Sequence, residues 1–237
     1  MASTEYHKIN TVYKRDPDTH YKTLMEGYYS RPEFELLRNV DWLFTEKVDG
    51  TNIRVEYHGS ASALTIRGRT SKSTIPVPLE TAIWHVFDDQ CGSVLSRLFE
   101  DKSVVFYGEG YGAGIQRNGH YYRATPSFVL FDVLVDGVFL NRSMVEDVAE
   151  KLHLSIVPII GQGTLIEMVA LAQNGIWSSW GDFEAEGIVA RPKIELRTRD
   201  NKRIICKIKT KDFSQSAQED QALKTKGSDH ENATFIE

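Results

Sequence analysis

The segment WLFTEKVDGTNIRVEYH (42–58) consists of two apolar-rich runs separated by Asp49-Gly50. WLFTEKV (42–48) reads as a strand, Asp49-Gly50 as a tight turn, and the alternating NIRVEYH (52–58) as the returning strand. Strand side chains alternate with period two, so Lys47 and Asp49 are expected on one face. A lysine that ends a strand beside a tight turn can serve as a nucleophile once its amine is free of its proton. Taken alone, K-x-D-G is equally an ordinary turn with a surface lysine, so the rest of the chain decides between the two.

Working outward, ALTIRGRT (63–70), SVVFYGEGYG (103–112), SFVLFDVLV (127–135), EGIVARP (186–192) and RIICKIK (203–209) read as further strands, rich in β-branched and aromatic residues. Apolar residues from Leu79 to Phe99 fall mostly at helical spacing, with Gly92 dividing the stretch into two helices. Ser143–Leu154 reads as an amphipathic helix with Ser143 as N-cap and Glu146 at N3, a capping box. Leu165–Asn174 reads as another, ended by Gly175. Residues 1–40 are polar and mixed, with turn signals at Asp16-Pro17 and Arg31-Pro32. From Ser214 the composition turns polar and reads as a helical or disordered tail. Strand clusters separated by helices, without regular βαβ alternation, imply an α+β fold with mainly antiparallel sheets flanked by helices.

The 237 residues suit one large domain with a short appendage, and 41% hydrophobic content is enough for a sizeable core. No run approaches the ~20 apolar residues of a membrane span, and the N-terminus lacks the apolar stretch of a secretory signal. Two cysteines, Cys91 and Cys206, cannot build a disulfide framework or a four-cysteine zinc site. A reducing cytoplasm is therefore the expected compartment. Seven histidines show no metal-hydrolase spacing. The glycines of GEGYGAG (108–114) do not form the dinucleotide-binding G-x-G-x-x-G at the head of a helix. The net charge of −5 hides a gradient. Between Arg191 and Lys211, nine basic residues face only Glu195 and Asp200, a local charge of +7. Such a segment is either a solvated basic hairpin or a polyanion contact, because binding follows the local field. Within it, Lys207 and Lys209 alternate with Cys206 and Ile208, so the two amines are expected on one face and the apolar pair on the other.

Five segments, in this order, resemble the motifs of the covalent nucleotidyltransferases: ATP-dependent DNA ligases, RNA ligases and mRNA capping enzymes. EKVDGTN (46–52) looks like motif I, FYGEGYGAGIQRN (106–118) motif III, LFDVLV (130–135) motif IIIa, AEGIVARP (185–192) motif IV and CKIKTKDF (206–213) motif V. The extended match around GEGYGAGIQ, with Asn52 where DNA ligases and capping enzymes usually carry arginine, is similar to the RNA ligase 2-like branch found in phages. The resemblance implies an ATP-grasp-like adenylation domain over residues 1–213, with 1–40 as an extension packed on it and 214–237 as a tail. It implies that a lysine attacks the α-phosphorus of ATP, that AMP passes to a 5′-phosphate end, and that a 3′-hydroxyl displaces AMP and seals the strand.

On this resemblance Lys47 is the nucleophile that forms lysyl-AMP. Asp49, Glu109 and Glu186 hold a hydrated Mg2+ (or Mn2+), with Glu109 also touching the ribose. That fits the preference of such ions for carboxylate oxygens and retained water. Lys207 and Lys209 bind the α-phosphate. Asn52 orients metal-bound water or is simply a polar residue at a strand start. Arg69 contacts nucleotide or 5′-phosphate, with Arg67 as its neighbour on the same face. Phe131 stacks on the purine or is a core phenylalanine. Glu46 contributes to adenosine binding or is an edge-strand carboxylate. The expected partner is RNA with 5′-phosphate and 3′-hydroxyl ends, including nicked duplexes, with no membrane and a monomeric enzyme. A small DNA ligase and a degenerate ligase-fold accessory protein are the alternatives. About 24 residues follow motif V, too few for the C-terminal domains usual in these families. A bare nucleotidyltransferase domain, with strongly salt-dependent substrate binding on one face, is expected.

Overall fold

The two strands expected in the opening segment form at Trp42–Glu46 and Thr51–His58, but they do not make a hairpin. They belong to different sheets. A tight two-residue hairpin turn needs positive φ at its centre, and neither Asp49 nor Gly50 has it. Lys47 instead donates its backbone N–H to the Gly187 carbonyl.

The computed structural model describes residues 4–70, 72–87 and 89–213. The polar stretch from Ser214 lies outside the described residues. The strands are β1 (Asn10–Thr11), β2 (Tyr13–Arg15), β3 (Leu24–Tyr29), β4 (Trp42–Glu46), β5 (Thr51–His58), β6 (Ala63–Gly68), β7 (Ser103–Tyr111), β8 (Ser127–Val135), β9 (Val138–Phe139), β10 (Ile159–Gly163), β11 (Gly187–Pro192) and β12 (Cys206–Lys209). The helices are α1 (Pro32–Leu36), α2 (Val77–Val86), α3 (Asp89–Phe99), α4 (Gly119–Tyr122), α5 (Arg142–Lys151) and α6 (Leu165–Gln173). They divide into two compact units. Among the described residues, one holds Val48–Pro158 and Ser179–Phe183 with the segment 4–8; the other holds Ile9–Lys47, Ile159–Ser178 and the segment 184–213.

The first unit is built on an antiparallel sheet of order β6-β5-β7-β8-β9. Ile53, Val55 and Tyr57 of β5 alternate onto the buried face. There they meet Leu79 and Ile83 of α2, Leu95 and Phe99 of α3, and Val145, Val148 and Ala149 of α5. The other face carries polar groups under the N-terminal segment. Tyr6 donates to Asp132 at 2.5 Å, and the Tyr107 hydroxyl donates to the Thr4 carbonyl at 2.9 Å.

In the second unit the sheet order is β1-β12-β11-β4-β10, antiparallel except for the β1–β12 pair. Trp42 and Phe44 of β4, Ile188 and Ala190 of β11, and Cys206 and Ile208 of β12 form its apolar face. Leu165, Met168, Val169 and Ala172, one stripe of α6, join the same core. Strands β2 and β3 form a separate two-stranded ribbon.

Three expectations shift. The break between α2 and α3 falls at Phe87, not Gly92, which lies inside α3. Phe87 leaves helical geometry and sets its ring 5.5 Å from Phe106 and 5.7 Å from Phe128, so core packing places the break. The cap of α5 is Asn141, which accepts from the Met144 N–H, while Ser143 merely donates to Asn141. Leu140 is still tied to Val133, so Asn141 is the first residue free to turn. Glu146 pairs with Arg142 instead of closing a capping box. The box occurs on α6, between Thr164 and Glu167.

Asn141→Ala is expected to cost about 1 kcal/mol of unfolding free energy, and Ser143→Ala only a few tenths. Urea midpoints of the two variants check this; the reverse ranking would return the cap to Ser143.

Candidate active site

In the second unit, β4, β11 and β12 lie side by side. Gly187 stands opposite Lys209 in register, and its carbonyl receives the Lys47 N–H. Lys47 and Lys209 therefore flank a residue with no side chain. One carboxylate oxygen of Glu186 bonds the Lys47 ammonium, and the other lies 2.6 Å from Lys209 Nζ. Gly187 has φ +154, and a Cβ there would meet the Ile208 carbonyl at 2.1 Å, so only glycine fits. Thr210 pins the backbone from the other side. Its hydroxyl donates to the Ala185 carbonyl at 2.8 Å and its N–H to the Glu186 carbonyl at 3.1 Å. Lys207 and Lys209 share the half-buried face of β12, and Cys206 and Ile208 lie in the core.

Burial pushes the Glu186 carboxyl up, but the ammonium groups of Lys47 and Lys209 outweigh it and hold the group below its ordinary value of 4.5. Side-chain exposures of 14% for Glu186, 20% for Lys47 and 26% for Lys209 leave the cluster partly screened by water. Glu46 points to the same side as Phe44, is 1% exposed, and accepts from Ser178 at 2.6 Å. It is not an edge-strand carboxylate, because β4 is paired on both sides.

In the first unit, the segment after Lys47 is irregular, so strand alternation does not put Lys47 and Asp49 on one face as expected. The turn is held by other contacts. Asp49 donates its N–H to the Tyr122 hydroxyl at 3.2 Å, and Gln116 donates to the Gly50 carbonyl at 3.0 Å. A Cβ on Gly50 would meet the Gly110 carbonyl at 2.4 Å and Glu109 Cγ at 2.7 Å. Gly50 thus lets the turn lie directly against the strand of Glu109. Asn52 and Glu109 are cross-strand partners on one face. Asn52 Oδ1 is buried and has no hydrogen-bond partner among the described residues.

Phe131 is the extra residue of a bulge. Tyr107 pairs with Asp132 and Gly108 with Leu130, leaving Phe131 between them. It is half-buried, with its ring 5.1 Å from that of Tyr6. Arg67 lies 3.3 Å from Glu56, while Arg69 is one residue past β6 and exposed, so the expectation of a common strand face does not extend to Arg69.

Among the described residues no three acidic, histidine or cysteine side chains form a ready-made metal cage. An unpartnered buried oxygen beside a carboxylate suits a hydrated divalent ion, whose waters donate hydrogen bonds. Asn52 and Glu109 fit such an ion through its water shell.

A family model described as RNA ligase matches residues 40–209. The chain belongs to the RNA ligase family. No curated protein matches it by sequence. A lysine-to-alanine variant of Naegleria gruberi RNA ligase with ATP and Mn superposes with a TM-score of 0.58 at 18% identity, over 75% of this chain and 51% of that one. The same ligase with pyrophosphate matches at 0.58 and 17% identity, over 88% and 60%. A lysine-to-methionine variant with AMP and Mn matches at 0.58 and 16%, over 86% and 57%. This member of the RNA ligase family thus spans between half and three-fifths of the length of these solved relatives. The likeness establishes its α+β nucleotidyltransferase fold, with mainly antiparallel sheets flanked by helices.

Sequence reasoning missed Thr210, Ser178, Gln116 and Tyr122, which hold the backbone and side chains of the motif residues. Nothing in their spacing marks them, except that Gln116 and Thr210 sit inside motif segments. Among the described residues, no helix is long and apolar enough to cross a membrane.

Glu186 titrates lower in the folded chain than in the unfolded one. Its stabilisation is therefore complete above pH 4.5 and lost as the pH falls through its folded value. The urea-measured stability gap between the wild type and Glu186→Gln is expected to close on acidification below pH 4.5. A gap unchanged down to pH 2 would remove the ion-pair account.

Proposed function

We propose that the chain is an ATP-dependent RNA ligase that works through a covalent lysyl-AMP on Lys47. The observation that carries this reading is the Glu186 carboxylate shared between Lys47 and Lys209 on adjacent strands. A lysine clamped by a carboxylate is held in one place, and positioning is most of what phosphoryl-type transfer asks of a protein.

In the proposed reaction, the Lys47 ammonium first gives up a proton to solvent, and the free amine Nζ attacks the α-phosphorus. A P–N bond forms, the bond to the β-phosphate oxygen breaks, and pyrophosphate leaves. Lys207 and Lys209 neutralise charge on the non-bridging oxygens. AMP then passes to a 5′-phosphate oxygen, giving a phosphoanhydride, and the 3′-hydroxyl oxygen displaces AMP to make the phosphodiester. Following the resemblance, Asp49, Glu109 and Glu186 with Asn52 would hold Mg2+ or Mn2+ through water, and the ion would offset phosphate charge. Phe131 would stack on the purine, Glu46 would support adenosine, and Arg69 would contact a phosphate. The expected substrate is RNA with 5′-phosphate and 3′-hydroxyl ends, nicked duplexes included.

Incubation with α-labelled ATP and Mg2+ is expected to label the wild type and not Lys47→Ala, a loss of at least a hundredfold. A labelled Lys47→Ala would overturn the assignment. Addition of 5′-phosphorylated nicked RNA is expected to discharge the label as sealed strand. Preferential discharge on all-DNA nicks would make the chain a DNA ligase instead.

A further inference from the structure

Of the nine cations of residues 191–211, Lys211 is exposed just past β12, and the structure sorts the other eight into different tasks. Arg191 and Arg203 are buried. Arg203 is held on both nitrogens by Glu195, Nε to Oε1 at 2.5 Å and Nη2 to Oε2 at 3.0 Å, and anchors the base of a turn. Lys207 and Lys209 belong to the site face of β12. Lys202 is bound to Asp200. Lys193 and Arg199 are exposed and Arg197 is half-exposed. Among the described residues, none of these three is in an ion pair. Arg197 Nη1 donates only to the neutral Asn201 side chain, at 3.2 Å.

The turn that presents them is preformed. Arg197 bridges to Arg203, and the Thr198 and Asn201 N–H groups bond the Lys202 and Thr198 carbonyls, each at 2.9 Å. The Thr198 hydroxyl accepts from the Lys202 N–H at 3.0 Å and donates to Asp200 at 2.5 Å. Asn201 takes the left-handed conformation, with φ 60. The two acids of the segment are both engaged, Glu195 by Arg203 and Asp200 by Lys202 and the Thr198 hydroxyl. The electrostatic reach of Asp200 extends to Arg31 and Glu33, which are bound to each other. What remains is a hydrogen-bonded, solvent-facing turn with a surplus of positive charge on a chain of net charge −5.

We propose that the turn Lys193–Lys202 is a docking surface for the phosphate backbone of the RNA, with Arg197 and Arg199 as its main contacts and Lys193 beside them. This rests on the ligase reading above and adds to it a grip remote from the chemistry. The turn lies at the opposite end of β11 from Glu186, and the six residues of β11 span about 20 Å. It therefore engages duplex several base pairs away from the sealed ends and takes no part in adenylylation. Each phosphate neutralised releases condensed counterions, which favours binding at low salt.

The test is anisotropy titration of the full chain on a fluorescent, 5′-phosphorylated nicked RNA duplex, with NaCl varied from about 50 to 200 mM. Arg197→Ala/Arg199→Ala is expected to make the slope of log K against log salt shallower by about 1.5 to 2. Its labelling by α-labelled ATP should match the wild type, which also reports that it folds. Arg197→Lys/Arg199→Lys should keep the wild-type slope, because phosphate contact needs the charge. Lys151→Ala, which removes an exposed cation of α5, should leave the slope unchanged. An unaltered slope in the double alanine variant, with the wild type binding RNA, overturns the docking surface alone. A wild type that takes up AMP but binds no RNA overturns the RNA ligase reading and the docking surface with it.

Discussion

Two ammonium groups on neighbouring strands would repel each other, and the arrangement of Lys47 and Lys209 holds because Glu186 lies against both. The backbone ladders align β4, β11 and β12, and that single carboxylate ties together the two amines they present. Its partial burial is affordable only while both cations are present; with one of them lost, burial would push the carboxyl up and the cluster would be less well satisfied. The cluster is thus poised. A carboxylate serving two lysines can release one when a polyanion or a cation supplies the missing partner, without breaking the sheet beneath it.

The sheet makes such a cluster possible through what it leaves out. Gly187 offers no side chain between the two lysines, and its backbone adopts a conformation that a Cβ would forbid. Gly50 plays a similar part in the first unit, where its missing Cβ lets the Asp49 turn approach Glu109. Apolar packing on the far faces carries the strands: Trp42, Ile188 and Ile208 in one unit, Ile53, Phe106 and Leu130 in the other. Charged residues then occupy the faces that the cores do not need. The bulge at Phe131 follows the same logic. It reverses parity along β8, so that Leu130 and Val133, an odd number of residues apart, both reach the core while Asp132 faces Tyr6.

Much of this was legible in the residues. The central strands β4, β5, β7, β8 and β11 follow from β-branched and aromatic runs, and the alternation of Cys206, Lys207, Ile208 and Lys209 correctly divides amines from core. What was not legible is non-local. The Asp49-Gly50 pair looks like a hairpin, and only the pairing of Lys47 with Gly187 shows that the chain leaves one sheet there and joins another. Strand β10 is hidden in Ile-Ile-Gly-Gln-Gly, where intrinsic strand preference is weak and pairing with β4 does the work. Strands β1 to β3 fall in a polar stretch for the same reason. Ser178 and Thr210 act through hydrogen bonds to distant residues, which no sequence period encodes.

Charge shows most clearly why counting must give way to placement. Residues 191–211 carry +7 by composition, which invites a picture of one uniform basic face. Folding divides that charge by burial and pairing. Arginine serves inside, where Arg203 meets Glu195 in a two-pronged pair suited to its planar fork. Lysine serves at the site, where Lys209 offers a compact charge to one carboxylate oxygen. Among the described residues, Lys193, Arg197 and Arg199 of the turn between the two strands are in no ion pair. Away from the site, the field felt by a polyanion therefore comes from a few residues on that turn, while Arg203 is committed to Glu195 at its base and Lys209 to Glu186 at the site.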